Sequence, residues 1–154
     1  MSDGYTIRCR KCGYEFTAFL GIGMLFPVLY EETVSKIRKG KYGKEYKQFF
    51  EEHPNAAVNC ENEAAVCTGC GRFECVKNLS LYLPKDENKK TGQGYKMACD
   101  LEEDYVKCME YEHKCSVCRS PMKFIDLLEE MRNGKVSCPE CGDEMELSGS
   151  LNWD

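Results

Sequence analysis

Apolar and polar residues alternate over short stretches along this chain, and most of these stretches span only four or five residues. Such alternation predicts β-strands, because successive side chains of a strand point to opposite faces. The predicted strands lie at 5–8, 14–18, 63–66, 73–76, 79–83, 105–111, 135–137 and 144–147. Because strands this short bury little apolar surface, we expect the fold to need another source of stability.

Helical periodicity is concentrated at about 26–52. A first helix is predicted over 26–39, and its apolar face carries Tyr30, Val34 and Ile37. A second helix is predicted over 42–52, and its apolar face carries Tyr42, Tyr46, Phe49 and Phe50. Pro27 suits the first turn of the first helix, and Pro54 ends the second. The pattern therefore indicates a helical hairpin.

One polar stretch, PKDENKKTGQG at 84–94, has the composition of an exposed linker. It predicts a boundary between a first domain at 1–83 and a second domain at 95–154. Together with the short strands, this favours a small α+β protein. Its two modules would be antiparallel β structures, and the first would carry the helical hairpin as an insertion.

The cysteine content changes this picture, since twelve of the 154 residues are cysteine. The start, MSDGYTIRCR, lacks the apolar region of a signal peptide. The apolar run at 18–30 is shorter than the roughly 20 residues that span a bilayer. We therefore expect a cytoplasmic, reducing setting without membrane association, where paired cysteines usually mean metal rather than disulfides.

Eight cysteines form four Cys-x-x-Cys pairs: CRKC at 9–12, CTGC at 67–70, CSVC at 115–118 and CPEC at 138–141. Each pair can direct two sulfurs at one ion, and two pairs complete the tetrahedron that Zn²⁺ prefers. Glycine follows three of the pairs and helps because it accepts a positive φ, whereas Arg119 follows the remaining pair. We expect two Zn²⁺ per chain, bound by Cys9, Cys12, Cys67, Cys70, Cys115, Cys118, Cys138 and Cys141.

The spacing of the pairs predicts which of them share an ion. Nineteen residues separate Cys118 from Cys138, which is a usual interval within one four-cysteine zinc site. The first two pairs are 54 residues apart, an interval that we interpret as the helical insertion. The prediction is therefore sequential: first pair with second, and third with fourth. A crossed arrangement, first with third and second with fourth, stays open.

The loops CRKCGY and CPECGD resemble the metal-binding loops of zinc-ribbon and rubredoxin-like proteins. The resemblance covers the four loops and their flanking strands, about half of the chain. It implies small antiparallel sheets around each metal, with the eight paired cysteines as ligands. The helical insertion and Arg119 depart from a minimal ribbon. The chain as a whole resembles bacterial double zinc-ribbon proteins, a likeness that implies no particular activity.

We expect no metal ligands among the remaining cysteines and the histidines. Cys60, Cys75, Cys99 and Cys108 lack the paired spacing and are expected to be buried free thiols. His53 and His113 are not expected to bind metal, because the two four-cysteine sites already have all their ligands. A thioredoxin-like redox role is disfavoured, since no pair begins a helix within a βαβ unit. Closed zinc sites also leave no open position for water, so we expect no enzyme.

Charge bears on the partners of this protein. The formal charge is −5, and eight thiolates with two Zn²⁺ would bring it to about −9, which disfavours nucleic acid. We expect a non-enzymatic zinc-binding adaptor that recognises a protein partner. The alternatives are a nucleic-acid-binding or transcription-associated ribbon, which rests on the basic run at 36–47, and a rubredoxin-like iron electron carrier.

The apolar segment FLGIGMLFP, at 19–27, is expected to be buried.

Overall fold

The computed structural model describes residues 2–88 and 94–153. Its secondary structure consists of β1 (Asp3–Cys9), β2 (Glu15–Leu20), α1 (Phe26–Arg38), α2 (Lys44–Glu52), β3 (Ala57–Val58), β4 (Asn62–Cys67), β5 (Phe73–Lys77), β6 (Leu81–Pro84), α3 (Ala98–Asp104), β7 (Tyr105–Met109), β8 (Met122–Phe124), α4 (Leu127–Arg132) and β9 (Met145–Asn152). Within the described residues the protein is therefore a small α+β structure with four helices and three antiparallel sheets of three strands each.

The chain divides into two compact units, each assembled from separated segments. Unit 1 consists of Met1–Gly23, Asn62–Val76 and Glu112–Asp154, and unit 2 of Met24–Glu61 and Lys77–Tyr111. Both units thus draw residues from both sides of the linker predicted at 84–94. Residues 89–93 of that linker lie outside the described part of the chain.

Unit 1 contains two small sheets, in the orders β2-β1-β9 and β5-β4-β8. The turn after the first cysteine pair folds β2 back onto β1, and β9 then pairs antiparallel with the other edge of β1. Buried residues from both sheets and from the segment at 127–145 form one core, which contains Ile7, Cys9, Ala18, Ala64, Phe73, Leu127, Val136, Cys138 and Met145.

Unit 2 contains the two predicted helices together with α3 and the sheet β3-β6-β7. The buried face of α1 carries Tyr30, Thr33, Val34 and Ile37, and that of α2 carries Tyr46 and Phe50. The hydroxyl of Tyr46 donates a hydrogen bond of 2.8 Å to the carbonyl oxygen of Leu79, and the rings of Tyr30 and Tyr95 meet edge to face. The helical hairpin therefore packs on residues of 77–111 within unit 2, and its segment lies in the chain between two segments of unit 1.

The helix α3 was not expected, and its sequence explains why. Its seven residues, ACDLEED, include a single buried apolar side chain, Leu101, so they show no helical periodicity. Leu101 packs with Ala57, Tyr82 and Tyr105 in a second core cluster. A tertiary contact therefore stabilises a helix that the local pattern does not predict.

The expectation that 19–27 is buried is wrong for its first residue, Phe19, and for its last four, 24–27. Met24 and Leu25 are 74% and 68% exposed, and Phe26 is also exposed. Met24 and Leu25 directly precede α1 and Phe26 begins it, whereas the buried face of the helix begins at Tyr30. No helix within the described residues is long and apolar enough to cross a membrane.

Candidate metal centres

The four Cys-x-x-Cys pairs adopt one backbone conformation, which we call a knuckle and number 1 to 4 in chain order. In each knuckle the first cysteine donates its N–H to the carbonyl oxygen five residues later, at 2.7–2.9 Å. Its own carbonyl accepts the N–H of the residue four positions later, at 2.8–3.1 Å. Two local hydrogen bonds thus close every knuckle, and a short segment of sequence is enough to form one.

The residue after the second cysteine has a positive φ in all four knuckles. Gly13, Gly71 and Gly142 have φ between 75° and 80°, as the sequence predicted from their positions. Arg119 occupies the same position of knuckle 3 with φ 66°. A side chain in this left-handed region costs roughly 1–2 kcal/mol, so knuckle 3 keeps the common geometry at an energetic cost.

The structure brings all eight paired cysteines into two groups of four, but not in the predicted combinations. Knuckles 1 and 4 form one group, which we call site A, and knuckles 2 and 3 form the other, site B. Site A contains Cys9, Cys12, Cys138 and Cys141, and site B contains Cys67, Cys70, Cys115 and Cys118. The sequential pairing is therefore wrong, and so is the crossed alternative. The observed arrangement is nested, with site B formed from segments that lie inside those of site A.

Strand pairing explains the nested arrangement. The β1–β9 ladder places Cys9 opposite Met145, which holds knuckle 4 beside knuckle 1. The β4–β8 ladder places Cys67 opposite Met122 in the same way. In both sites the opposing methionine follows the first cysteine of the later knuckle by seven residues. The two sites therefore have equivalent architectures, and their partners are chosen by strands far apart in sequence.

The distances between sulfur atoms fit a tetrahedral metal. Sγ pairs between the two knuckles lie 3.4 and 3.5 Å apart in site A and 3.3 and 3.7 Å apart in site B. All four Sγ atoms of each site lie within 4.8 Å of one another. A disulfide requires about 2.05 Å, whereas four sulfurs at 2.3 Å from Zn²⁺ would stand about 3.8 Å apart. The residues present thus fit a four-sulfur metal site.

Backbone N–H groups point at the sulfur of the first cysteine in three knuckles. Gly69 and Cys70 both donate to the Sγ of Cys67 at 3.3 Å. Val117 donates to Cys115 and Glu140 to Cys138, each at 3.4 Å. Such donors stabilise negative charge on sulfur and orient the ligand, as outer-shell hydrogen bonds do around protein metals.

The thiols within each site differ sharply in their tendency to ionise. The backbone N–H of Cys12 lowers the pKa of Cys9 to about 7, and hydrogen bonds from Ser120 lower the pKa of Cys118 to about 6. The N–H of Arg72 acts in the same direction on Cys70, but burial and the neighbouring thiols raise the pKa of Cys70 to about 12. Because thiolates at these distances repel one another, full ionisation of a site requires a cation among them.

Burial follows one rule across the four knuckles. The first cysteine of each is buried, whereas the second is exposed or half-buried: Cys12, Cys70, Cys118 and Cys141. The first cysteines of knuckles 1 and 2 end β1 and β4, and those of knuckles 3 and 4 directly follow the isolated bridges at Lys114 and Ser137. Each site is therefore anchored from the core side and open to solvent at its outer edge.

The remaining cysteines and the histidines lie outside both sites. Cys60 is buried, as expected, and burial raises its pKa to about 11. Cys75 is half-buried, but Cys99 and Cys108 are exposed, so the expectation of burial is wrong for these two. The rings of His53 and Phe49 meet at a tilt of 47°, and His113 meets Phe124 edge to face. Both metal groups found in the described chain consist of cysteines alone.

The chain matches no family model, and comparisons with curated proteins and with solved structures also give no match. The interpretation of the two sites therefore rests on their own geometry. Sequence reasoning found all eight residues of the two groups from their spacing. It missed only the choice of partners, because all four knuckles have the same local form.

Proposed function

We propose that the chain binds two Zn²⁺ ions in closed structural sites and that unit 1 is a pair of nested zinc ribbons. The observation that carries the proposal is the placement of eight thiol sulfurs in two groups of four with tetrahedral spacing. Zn²⁺ would be held by Cys9, Cys12, Cys138 and Cys141 in site A and by Cys67, Cys70, Cys115 and Cys118 in site B. Bound zinc balances thiolate charge and cross-links distant strands.

The same geometry supports a non-enzymatic role. Four cysteine ligands fill a tetrahedral zinc site, whereas catalytic zinc keeps a position for water or substrate. The proposal also requires a reducing compartment such as the cytoplasm, because oxidising conditions would convert adjacent thiols to disulfides.

Elemental analysis of protein purified under reducing conditions tests this proposal. We expect two zinc atoms per chain and zinc–sulfur distances of about 2.3 Å by X-ray absorption. The variants Cys12→Ser with Cys141→Ser, and Cys70→Ser with Cys118→Ser, should each retain about one zinc. Stoichiometric iron with a red colour would instead support the rubredoxin-like electron carrier. Zinc loss that follows the sequential grouping would contradict the assigned sites.

The proposed biological role is that of an adaptor for a protein partner. Its support is an exposed apolar patch at the start of α1, formed by Met24, Leu25, Phe26 and Val28. These four residues lie within the five positions 24–28, and Pro27 between them is also exposed. Contiguous exposed apolar surface is typical of protein interaction sites. The ring of Phe26 lies 4.8 Å from that of Tyr95, so one side of the patch is held in place.

Purification from the native cells tests the adaptor role. We expect a defined protein to co-purify with the wild type and to be lost from Met24→Ser with Leu25→Ser. Val106→Ser is the matched control, because Val106 is also exposed and lies in unit 2, on β7. The purified partner should then bind the wild type directly. Identical proteins recovered with all three chains would contradict this role.

Nucleic-acid binding is the second candidate function, and one observation favours it. Six cations at 36–47 are exposed around the end of α1 and the start of α2: Lys36, Arg38, Lys39, Lys41, Lys44 and Lys47. The overall acidic charge opposes such binding, so we expect it to be weak at about 0.15 M salt, where the Debye length is roughly 8 Å. Sub-micromolar affinity in filter binding, lost on replacing Lys39, Lys41 and Lys44 with Glu, would favour this function over the adaptor.

A further inference from the structure

Two metal sites in one chain can bind zinc independently or cooperatively. The core of unit 1 indicates which of these applies to sites A and B. We infer that sites A and B load zinc cooperatively, so that each ion strengthens binding of the other; this rests on the proposed function. The first support is that buried residues next to both sites belong to one core cluster. Ala64 and Phe73, the buried apolar residues next to site B, belong to the same cluster as Ile7, Val136 and Met145 next to site A.

Direct contacts also connect the segments of the two sites. The N–H of Gly21 donates to the carbonyl of Asn62 at 2.9 Å, and the N–H of Asn62 donates back at 2.8 Å. These bonds join the strand leaving knuckle 1 to the strand entering knuckle 2. The hairpin of site A and the hairpin of site B are therefore fixed to each other by backbone hydrogen bonds.

Side chains extend this connection toward the metal-binding loops. The rings of Phe16 and Phe73 stack with centroids 5.5 Å apart, and they follow knuckles 1 and 2 respectively. The guanidinium of Arg72, next to knuckle 2, lies 2.9 Å from the carboxylate of Glu140, inside knuckle 4. Each site thus contributes groups that pack against the other.

The order of the knuckles along the chain makes zinc binding at each site depend on the other site. Site A joins knuckles whose cysteines lie 126 positions apart, and both segments of site B fall within that interval. An ion in site A holds β9 against β1 and completes the core on which Phe73 packs. An ion in site B fixes β4 and Phe73, and so completes the same core for site A. Because coupling between binding sites is reciprocal, either ion should favour the other to the same degree.

Zinc titration of the full-length chain, followed by native mass spectrometry, tests the inference. The metal-free protein is prepared with a chelator under reducing conditions, and Zn²⁺ is added in steps. For equivalent sites whose affinities are coupled 5- to 150-fold, the one-zinc species should reach about 10–30% of molecules at half saturation. Independent equal sites would give about half. A one-zinc population at or above half would overturn the inference.

Variants of each site supply a second measurement. Cys12→Ser with Cys141→Ser removes the two exposed ligands of site A, and Cys70→Ser with Cys118→Ser removes the half-buried and the exposed ligand of site B. None of these four cysteines belongs to the core cluster. We expect zinc affinity at the remaining site to fall by about 5- to 150-fold in chelator competition. Affinity within twofold of the wild-type value in both variants would also overturn the inference.

One core variant and one surface variant test whether the shared core couples the two sites. Phe73→Ala should raise the one-zinc population, because it removes the buried ring that both sites share. Val117→Ala is the matched control, since Val117 lies in knuckle 3 but is 64% exposed. An equal effect of the two changes would show that the core does not couple the sites. A wild-type chain that takes up no zinc would overturn the proposed function and the coupling with it.

Discussion

Site A and site B are built from the same knuckle and the same strand pairing, yet they connect the chain over very different distances. The partner knuckles of site A contain cysteines 126 positions apart, and those of site B contain cysteines 45 positions apart. In an unfolded chain this difference makes site A about 1 kcal/mol more costly to close. Site A therefore has the larger entropic cost.

Site B has the larger steric cost. Knuckles 1 and 4 of site A both carry glycine at the positive-φ position, whereas knuckle 3 of site B carries Arg119. Gly69 of knuckle 2 lies so close to Ser120 that there is no room for a side chain, whereas the corresponding residue of knuckle 1 is Lys11. Site B is therefore more tightly packed where its knuckles meet. The comparison shows that the backbone hydrogen bonds of a knuckle impose its shape even where the residue is unfavourable.

The largest expected effect concerns the nested pairing on which this comparison depends. A fragment of residues 95–154 contains knuckles 3 and 4, which are half of site B and half of site A. It should not fold around one zinc, because neither half has its partner strand, β4 or β1. Sequential pairing would predict a folded fragment with one bound ion. An amide NMR spectrum of the fragment with Zn²⁺ distinguishes the two, since a dispersed spectrum would contradict the nesting.

Removing both ions from the full chain should unfold unit 1. Zinc in small domains contributes on the order of 10–16 kcal/mol, which exceeds the typical net stability of about 5–15 kcal/mol. Amide resonances of β1, β4 and β9 should lose dispersion after chelation. Those of α1 and α2 should persist better, because their buried faces lie in the separate core of unit 2. If only the strands of one site lost dispersion, the prediction that unit 1 unfolds as a whole would be wrong.

The packing difference between the sites can be tested with Gly69→Ala. A Cβ at Gly69 would lie 2.4 Å from the Oγ and 2.8 Å from the Cβ of Ser120. Overpacking of this kind costs about 1–3 kcal/mol, so zinc affinity at site B should fall. Lys11→Ala in knuckle 1 is the matched control. Unchanged zinc affinity in Gly69→Ala would show that the knuckles of site B can separate without cost.

Arg119→Gly should stabilise site B by roughly 1–2 kcal/mol, because glycine adopts positive φ without the steric cost of a side chain. Gly142→Arg should weaken site A by a similar amount, since Gly142 has φ 80°. Gly149→Ala is the control, because a Cβ there would make only an ordinary contact with Thr6 at 4.0 Å. Chelator competition measures all three, and a neutral Arg119→Gly would contradict the steric account.

The smallest effect is expected for the ion pair between Arg72 and Glu140. Both side chains are about half exposed, and pairs of this kind contribute roughly 0.2–1 kcal/mol. Arg72→Ala should slightly lower zinc affinity at both sites, whereas Arg8→Ala, which removes a longer surface pair with Glu15 at 3.9 Å, should not. An effect confined to site B would show that this pair does not connect the sites.

The local features of this protein follow from its sequence because their interactions are local. Each knuckle closes through hydrogen bonds between residues four and five positions apart, so CRKCGY is enough to predict one. The helices at 26–39 and 42–52 follow from apolar periodicity, and the structure has them as α1 and α2. The strands β1 and β4 enter knuckles 1 and 2 as predicted. The prediction of a strand at 135–137 is wrong, because only an isolated bridge between Ser137 and Glu144 forms there.

The partners of the knuckles were decided by tertiary structure alone. Every knuckle offers the same pair of sulfurs, and nothing in its sequence distinguishes one partner from another. The choice depends on β9 pairing with β1 and β8 with β4, and on apolar residues from three separate segments meeting in one core. Chain separation predicts partners only when the intervening residues fold within the same module. Here 24–61 and 77–111 form a unit of their own, so nearness in sequence did not indicate nearness in space.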